Sequence, residues 1–442
     1  MVSQVEDVPT GFKLTELGPL PKEWHVNSIK DVAEFTHKPR NLNIAESDTI
    51  PFISMECISS DGSGHCIYHE KLASEISSGV YCELGDILIA KITPCLENGK
   101  QCIVNDNLPT SFAYATTEVY PLKPHREIID RSFLFAYLIY PPIRQELAAK
   151  MEGTTGRQRL AKHVLESLCL PIPPLPEQRA IAHVLSTIQR AIEAQDKVIS
   201  AVRELKKSLM HHLFTYGPVP VSEVDRVTLK ETEIGSLPES WKIVCLGDVV
   251  KEKITDGVHK TPSYVEFGVP FIMAKDIVNN RIDFTNSRNI PSAEHQVLTK
   301  RVKPEKGDIL LTKVGTVGNL ALVDTEAPFS IFVQIALIKP DNGKVDSTFL
   351  KYVLLTANIQ DDIIKNASQS TMKFIGTQKI AQVAIPLPML KEQCEIAFRL
   401  SSIDAKIQAE ENHRSALQTL FKTMLHLLMT GSLRVKDLQI GN

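Results

Sequence analysis

Between Pro176 and Phe214, apolar side chains return every third or fourth position: Ile181, Val184, Leu185, Ile188, Ile192, Val198, Ile199, Val202, Leu205, Leu209 and Leu213. That period gathers them on one stripe of an α-helix, while Arg190, Lys197, Arg203, Lys206 and Lys207 fall on the other face. The stretch has no glycine, and its proline stands at the start, where a missing N–H is harmless. At 1.5 Å per residue the helix would run roughly 57 Å. A narrow apolar stripe needs a partner helix. Residues Lys391 to Met429 supply one: Glu177-Gln178 corresponds to Glu392-Gln393, Leu185 to Leu400, Ile188 to Ile403, Ile192 to Ile407 and Leu205 to Leu420, at a constant offset. The pattern predicts two long antiparallel helices forming a coiled-coil-like rod.

Outside these helices the pattern shortens and repeats. ELGPLPKEWHVNSIKDV at 16–32 returns as EIGSLPESWKIVCLGDV at 233–249, carrying the only two tryptophans, Trp24 and Trp241, at the same place. Thr36-His37-Lys38 sits like Val258-His259-Lys260, and Pro51-Phe52-Ile53 like Pro270-Phe271-Ile272. Gly85-Asp86-Ile87-Leu88-Ile89-Ala90-Lys91 matches Gly307-Asp308-Ile309-Leu310-Leu311-Thr312-Lys313, a turn followed by a short apolar strand. Pro171-Ile172-Pro173 and Pro386-Leu387-Pro388 precede the long helices. SFAYATTEVYPL and FSIFVQIALIKP read as further strands, and Phe133–Lys150 and Ser347–Lys365 as helices. The predicted fold is α+β: two repeated globules with small curved β-sheets, separated by the helices, with an internal pseudo-two-fold repeat. The boundaries expected are 1–170 for the first globule, 171–217 for the first helix region, 218–385 for the second globule and 386–442 for the second helix region and tail. Segments 56–82 and 274–300 share little, so one scaffold carries two different faces.

A chain of 442 residues, 43% hydrophobic and 23% charged, is of ordinary globular composition. It contains no apolar run of membrane-spanning length, and MVSQVEDVPTGFK lacks the profile of a signal peptide, so a cytoplasmic location is expected. The eight cysteines form no C-x-x-C pair and match no zinc spacing, as for free thiols in a reducing compartment. A net charge of −3 argues against a free-standing, non-specific DNA binder but leaves room for local basic patches. Catalytic signatures are missing: there is no G-x-x-x-x-G-K-[ST] loop and no glycine-rich turn in a βαβ unit. Neither Asn366 nor Tyr140-Pro141-Pro142 assembles the Asn/Asp-Pro-Pro-aromatic motif of an amino-methyltransferase. His211, His212 and His426 lie on the long helices, where solvated positions are the ordinary reading.

Four motifs stand out: Leu20-Pro21-Lys22-Glu23-Trp24 with Leu237-Pro238-Glu239-Ser240-Trp241; Asp256-Gly257-Val258-His259-Lys260-Thr261-Pro262; Gly-Asp-Ile-Leu followed by a lysine; and Pro-x-Pro-x-Leu-x-Glu-Gln opening a long helix, at 171–178 and imperfectly repeated at 386–393. Together they resemble the specificity subunit of type I restriction-modification systems, over nearly the whole chain. The resemblance implies a non-catalytic subunit whose two target-recognition domains each read one half of a bipartite, asymmetric site in double-stranded DNA. The helix pair would set the spacer and dock two DNA methyltransferase subunits, with restriction/translocase subunits joining them. No cofactor is implied in this chain; S-adenosylmethionine, ATP and magnesium would be held by partner subunits. The chain departs from the pattern in its first globule, which has only Thr36-His37-Lys38-Pro39 in place of the full D-G-x-H-K-T-P run, and in Met389-Leu390-Lys391 before the second helix.

A sequence reader needs cations for phosphates and forked or amide side chains for base edges. The loop Gly153-Thr154-Thr155-Gly156-Arg157-Gln158-Arg159 offers both, and Ser370, Thr371 and Lys373 lie in its counterpart. Lys91 and Lys313 end apolar strands and are followed by polar turns, Thr93–Lys100 and Gly315–Asn319, the latter with Thr316. His259, Lys260 and Thr261 form a third candidate set, with Lys38 and Arg40 secondary. The ordinary alternative for each is a solvated turn or strand cap. Two other classes remain open on the residues alone. A coiled-coil scaffold would show no DNA preference in its globules, and a nuclease with an unrecognised active site would cleave DNA in the presence of metal.

Overall fold

The computed structural model describes residues 9–104, 107–154, 156–368 and 372–435. It divides into two compact units. The first holds the chain up to Lys197 together with Glu411 onward; the second is Val198–Glu410. The helices expected from periodicity are present as Leu175–Tyr216 and Leu390–Met429, 42 and 40 residues long. Each unit therefore owns one globule and a segment of both helices.

The first unit is built around the strand Ile87–Ala90, buried at all four positions. Successive side chains on a strand point to opposite faces. Ile87 and Ile89 accordingly enter the large core with Trp24, Phe133, Leu134 and Leu185, while Leu88 enters a smaller core with Ile53, Cys82 and Val104. This strand lies in an antiparallel sheet ordered Ala33–Phe35, Val119–Pro124, Ile87–Ala90, Gln101–Ile103. A second sheet, ordered His69–Leu72, Thr49–Ile53, Phe112–Ala115, Val80–Glu83, contains one parallel pair, Phe52 beside Tyr114. Asp86 shapes the turn before the central strand by accepting the Glu83 N–H at 2.8 Å.

In the second unit the same plan recurs. Ile309 and Leu311 of the buried strand Ile309–Thr312 face a core with Trp241, Phe349 and Leu400, and Leu310 faces another with Ile272 and Ile331. The antiparallel sheet runs Thr255–Asp256, Ile335–Ile338, Ile309–Thr312, Leu320–Leu322, and Phe271 pairs in parallel with Ser330. Asp308 accepts the Glu305 N–H at 2.8 Å.

The Glu-Gln pair of the repeat has a mechanical explanation. Gln178 is fully buried; its carbonyl oxygen accepts from Asp130 N at 2.8 Å, and its amide donates to Ile128 O at 3.0 Å and Pro173 O at 2.8 Å. Gln393 does the same with Asp346 N, Lys344 O and Pro388 O at 2.8, 3.2 and 2.9 Å. Asp130 and Asp346 cap the N-termini of the helices Arg131–Ile139 and Ser347–Leu354. One buried amide thus fastens each long helix to its globule. A buried polar group left unpartnered is costly, so this position tolerates little else.

Within each unit the two long-helix segments run antiparallel. In the first unit Arg434 pairs with Glu177 at 2.5 Å and Arg414 with Asp196 at 2.6 Å. In the second, Lys206 pairs with Asp404 at 2.7 Å. Burial works to raise the Asp404 carboxyl, but hydrogen bonds from Lys206 and Tyr352 outweigh it and hold the group below the usual carboxylate range.

Candidate nucleic-acid interface

In the first unit the candidates converge on the end of the central strand. The residues Glu152–Thr154 and Arg157–Arg159 form a hairpin, with Thr154 opposite Arg157. The hairpin is laid along the chain after Ala90: Leu160 N donates to Lys91 O at 2.8 Å, Thr93 N donates to Gln158 O at 3.0 Å, and Ile92 bridges to Arg159. Lys91, Thr154, Arg157, Gln158 and Arg159 are thereby brought together; Thr155 lies outside the described residues. The Lys91 ammonium is half-buried, 4.6 Å from the centre of the Tyr120 ring. Burial lowers its pKa first, and the neighbouring Arg159 lowers it further. Arg159 is exposed and paired with Glu118 at 2.7 Å. Arg157 is exposed, with no ion-pair partner among the described residues. Two crowded cations, one carboxylate and a free guanidinium make a rim suited to a polyanion.

The second unit keeps the backbone and changes the chemistry. Ile375 N donates to Lys313 O at 3.0 Å and Gly315 N donates to Lys373 O at 2.9 Å, which makes Lys373 the counterpart of Gln158 and Phe374 that of Arg159. Lys373 is exposed; Ser370 and Thr371 lie outside the described residues. Lys313, expected at a groove, is only 4% exposed. Its ammonium is bonded to the Asp256 carboxylate at 2.5 Å and lies 5.1 Å from the Phe374 ring centre. An ammonium so enclosed is shut off from direct contact with solvent, whereas the exposed Thr316 side chain reaches it.

Asp256 is the residue that reasoning from the sequence passed over as a site. Besides Lys313 it takes His259 at 3.4 Å and Arg301 at 3.3 Å. Burial pushes its carboxyl upward, but Lys313 and His259 more than offset this and hold it low. Its signal was the D-G-x-H-K run, whose aspartate stands ahead of two exposed polar side chains, His259 and Lys260. Gly257 follows because a Cβ there would meet Ile331 O at 2.2 Å. His259, Lys260 and Thr261 are all exposed. Arg301, far along the chain, carried no sequence signal.

Among the described residues no group of three or more His, Cys, Asp or Glu is placed to hold a metal ion, and no helix is long and apolar enough to cross a membrane.

Paired α+β globules with exposed basic loops and antiparallel helical segments define a nucleic-acid recognition protein built by duplication. The family described as type I restriction modification DNA specificity domain matches residues 21–202 and again 238–419. The chain belongs to that family; it is a DNA-sequence recognition subunit and not an enzyme by itself. It is 29% identical over 440 residues, 96% of this chain and 97% of the relative, to a putative type I restriction enzyme MjaX specificity subunit of Methanocaldococcus jannaschii. The MjaVIII specificity subunit of the same organism is 28% identical over 72% of this chain and 73% of its own length. In fold, the chain resembles the S subunit of a type I restriction-modification system from M. genitalium, with a TM-score of 0.57 at 17% identity, covering 94% of this chain and 98% of that one.

Proposed function

We propose that each unit reads one half of a bipartite, asymmetric site in double-stranded DNA, and that the two long helices set the spacing between the halves. The observation that carries this reading is a conserved frame with exchanged chemistry. Both units hold the same buried glutamine clamp and the same central strand, yet one strand-end lysine sits over Tyr120 and the other against Asp256. Duplication with divergence at the loops is what reading two different half-sites requires. In the first unit Arg157 and Gln158 are the base readers, with Lys91, Thr154, Thr155 and Arg159 at phosphates. In the second unit His259, Lys260, Thr261, Thr316, Ser370, Thr371 and Lys373 face DNA, and Lys313 acts through Asp256. Arg is the side chain best suited to guanine and Gln to adenine.

The long helices also dock two DNA methyltransferase subunits, to which restriction/translocase subunits add. Phe398, Leu205 and Val198 are 72%, 58% and 41% exposed on those helices, apolar side chains available to a protein partner. S-adenosylmethionine, ATP and magnesium belong to the partners, and the assembly works in the cytoplasm.

Co-expression with a methyltransferase subunit of the same source, followed by mapping of modified adenines, tests the reading. One bipartite motif with a fixed spacer is expected. Adding four residues to each long helix lengthens the spacer by about two base pairs, since about 6 Å of helix matches two ~3.4 Å steps, and leaves both half-sites intact. A spacer that stays fixed sinks the ruler role, and methylation without a bipartite motif sinks the recognition role.

A further inference from the structure

The connection between the outer strand of the central sheet and the parallel-paired strand exists in both units and differs in kind. In the first unit it spans 36–48 and is polar, with Lys38, Arg40, Asn41 and Asn43 exposed. In the second it spans 257–268 and carries Tyr264, Val265 and Phe267, which are 36%, 38% and 86% exposed.

Phe267 is held out by its surroundings. Val265 N donates to Asn289 O at 3.0 Å, and the Asn289 amide donates to Glu266 O at 3.0 Å, so the backbone on one side of the tip is tied to the adjacent strand Arg288–Ile290. On the other side Gly268 lies so close to that strand that a Cβ would meet Ile290 O at 2.3 Å. Behind the tip the Arg288 guanidinium stacks 4.5 Å from the centre of the Tyr264 ring, which packs edge-on against Phe271. An apolar ring held out on a bend tied to the edge strand of that sheet, in the same loop as exposed His259 and Lys260, has the form of a groove contact. The neighbour of Phe267 decides where in the duplex it goes. Glu266 is exposed, and a carboxylate is repelled by phosphates but can accept from a cytosine amino group. The major groove is wide enough to admit protein elements, and its apolar group is the thymine methyl.

We infer that Phe267 is a specificity-determining residue of the second half-site, seated in the major groove against a thymine methyl, with Glu266 beside it at the base edges. This rests on the proposed reading of DNA half-sites by the two units. The divergence between the two connections then follows: the first unit's loop keeps Leu42 and Ile44 partly covered and presents no exposed large apolar side chain, and the second unit presents Phe267.

The full chain, in complex with its methyltransferase partner, is assayed for binding to duplexes carrying the mapped site. Each thymine of the second half-site is replaced in turn by deoxyuridine, which removes only the methyl. The wild type loses about fourfold in affinity at one position, the worth of one buried methyl. Phe267→Ala loses about tenfold on the thymine duplex, ~1.4 kcal/mol, and gains no further loss from deoxyuridine at that position, the non-additivity expected of groups in contact. Phe267→Leu keeps part of both effects, and substitutions in the first half-site are felt equally by all three proteins. Equal weakening of Phe267→Ala on thymine and deoxyuridine duplexes, with the wild type indifferent to the methyl, overturns the inference and points to an intercalating wedge. Loss of the methyltransferase from the complex, with DNA preference unchanged, overturns it in favour of a protein contact. A wild type with no bipartite motif removes the half-site reading itself, a failure seen before any variant is made.

Discussion

Lys91 and Lys313 stand at the same step of the same strand and lead different lives. Lys91 is half-buried over an aromatic face with Arg159 crowding it, and its nearest carboxylate, Glu118, is engaged by that arginine. Lys313 is enclosed and ion-paired to Asp256, a residue with no charged counterpart against Lys91 among the described contacts. The duplicated frame fixes where a cation enters the site; the residues facing it decide whether the charge is offered to a ligand or consumed in holding a loop. The turn aspartates repeat the lesson. Lys339 reaches both Asp308 and Glu305, at 2.9 and 3.1 Å, whereas among the described residues Lys123 pairs with Glu83 alone, at 2.7 Å.

The comparison breaks most readily at the buried pair. Lys313→Met leaves Asp256 without its principal partner, at a cost of about 3 kcal/mol, the low end for breaking a buried pair because Arg301 still faces the carboxylate. Lys91→Met gives up a partly exposed cation–π contact worth about 0.5–1 kcal/mol. Denaturant titration of the full chain measures both, and equal losses would mean that the two lysines are equivalent after all.

A smaller effect is expected at the readers. Arg157→Ala should cost about 1–3 kcal/mol of discrimination and relax one base position of the first half-site alone. Lys373→Ala should weaken binding evenly and lower the salt slope by about one. Methylome mapping and salt titration separate these, and a relaxed second half-site in the Arg157 variant would exchange the assignments of the units.

The smallest effect is a slope against pH. Burial pushes the Asp86 carboxyl up to about 6, despite the hydrogen bond from the Glu83 N–H. The folded protein therefore holds this proton where the unfolded chain, near pH 4, has released it. Stability of the first unit falls as pH rises from about 4 to about 6, and Asp86→Asn flattens that fall. Hydrogen exchange at Ile87–Ala90 follows it. The low-lying Asp256 acts in the opposite sense in the second unit, contributing stability that is lost as pH falls into the acid range.

Much of this molecule was legible in the sequence because it rests on local period and repetition. A three-four rhythm makes helices over Leu175–Tyr216 and Leu390–Met429 whatever they pack against. The turn Gly-Asp followed by the apolar run Ile-Leu-Ile-Ala read as a short strand, and the structure buries it at all four positions. The matched tryptophans and Glu-Gln pairs marked the duplication, although the reason for the glutamine, a three-bond clamp closed by residues up to 50 positions away, was not legible. The candidate loops were picked out by composition and recurrence. The charge state of their surroundings was not, because Lys313 meets Asp256 across 57 residues and Asp256 meets Arg301 across 45. Periodicity, repeats and turn chemistry are properties of neighbours along the chain, and the sequence by itself determined the helices, the doubled frame and the family. Burial and ion pairing depend on which distant strands the fold sets side by side, so only the tertiary structure decided that one strand-end lysine is presented at a basic rim and the other is enclosed.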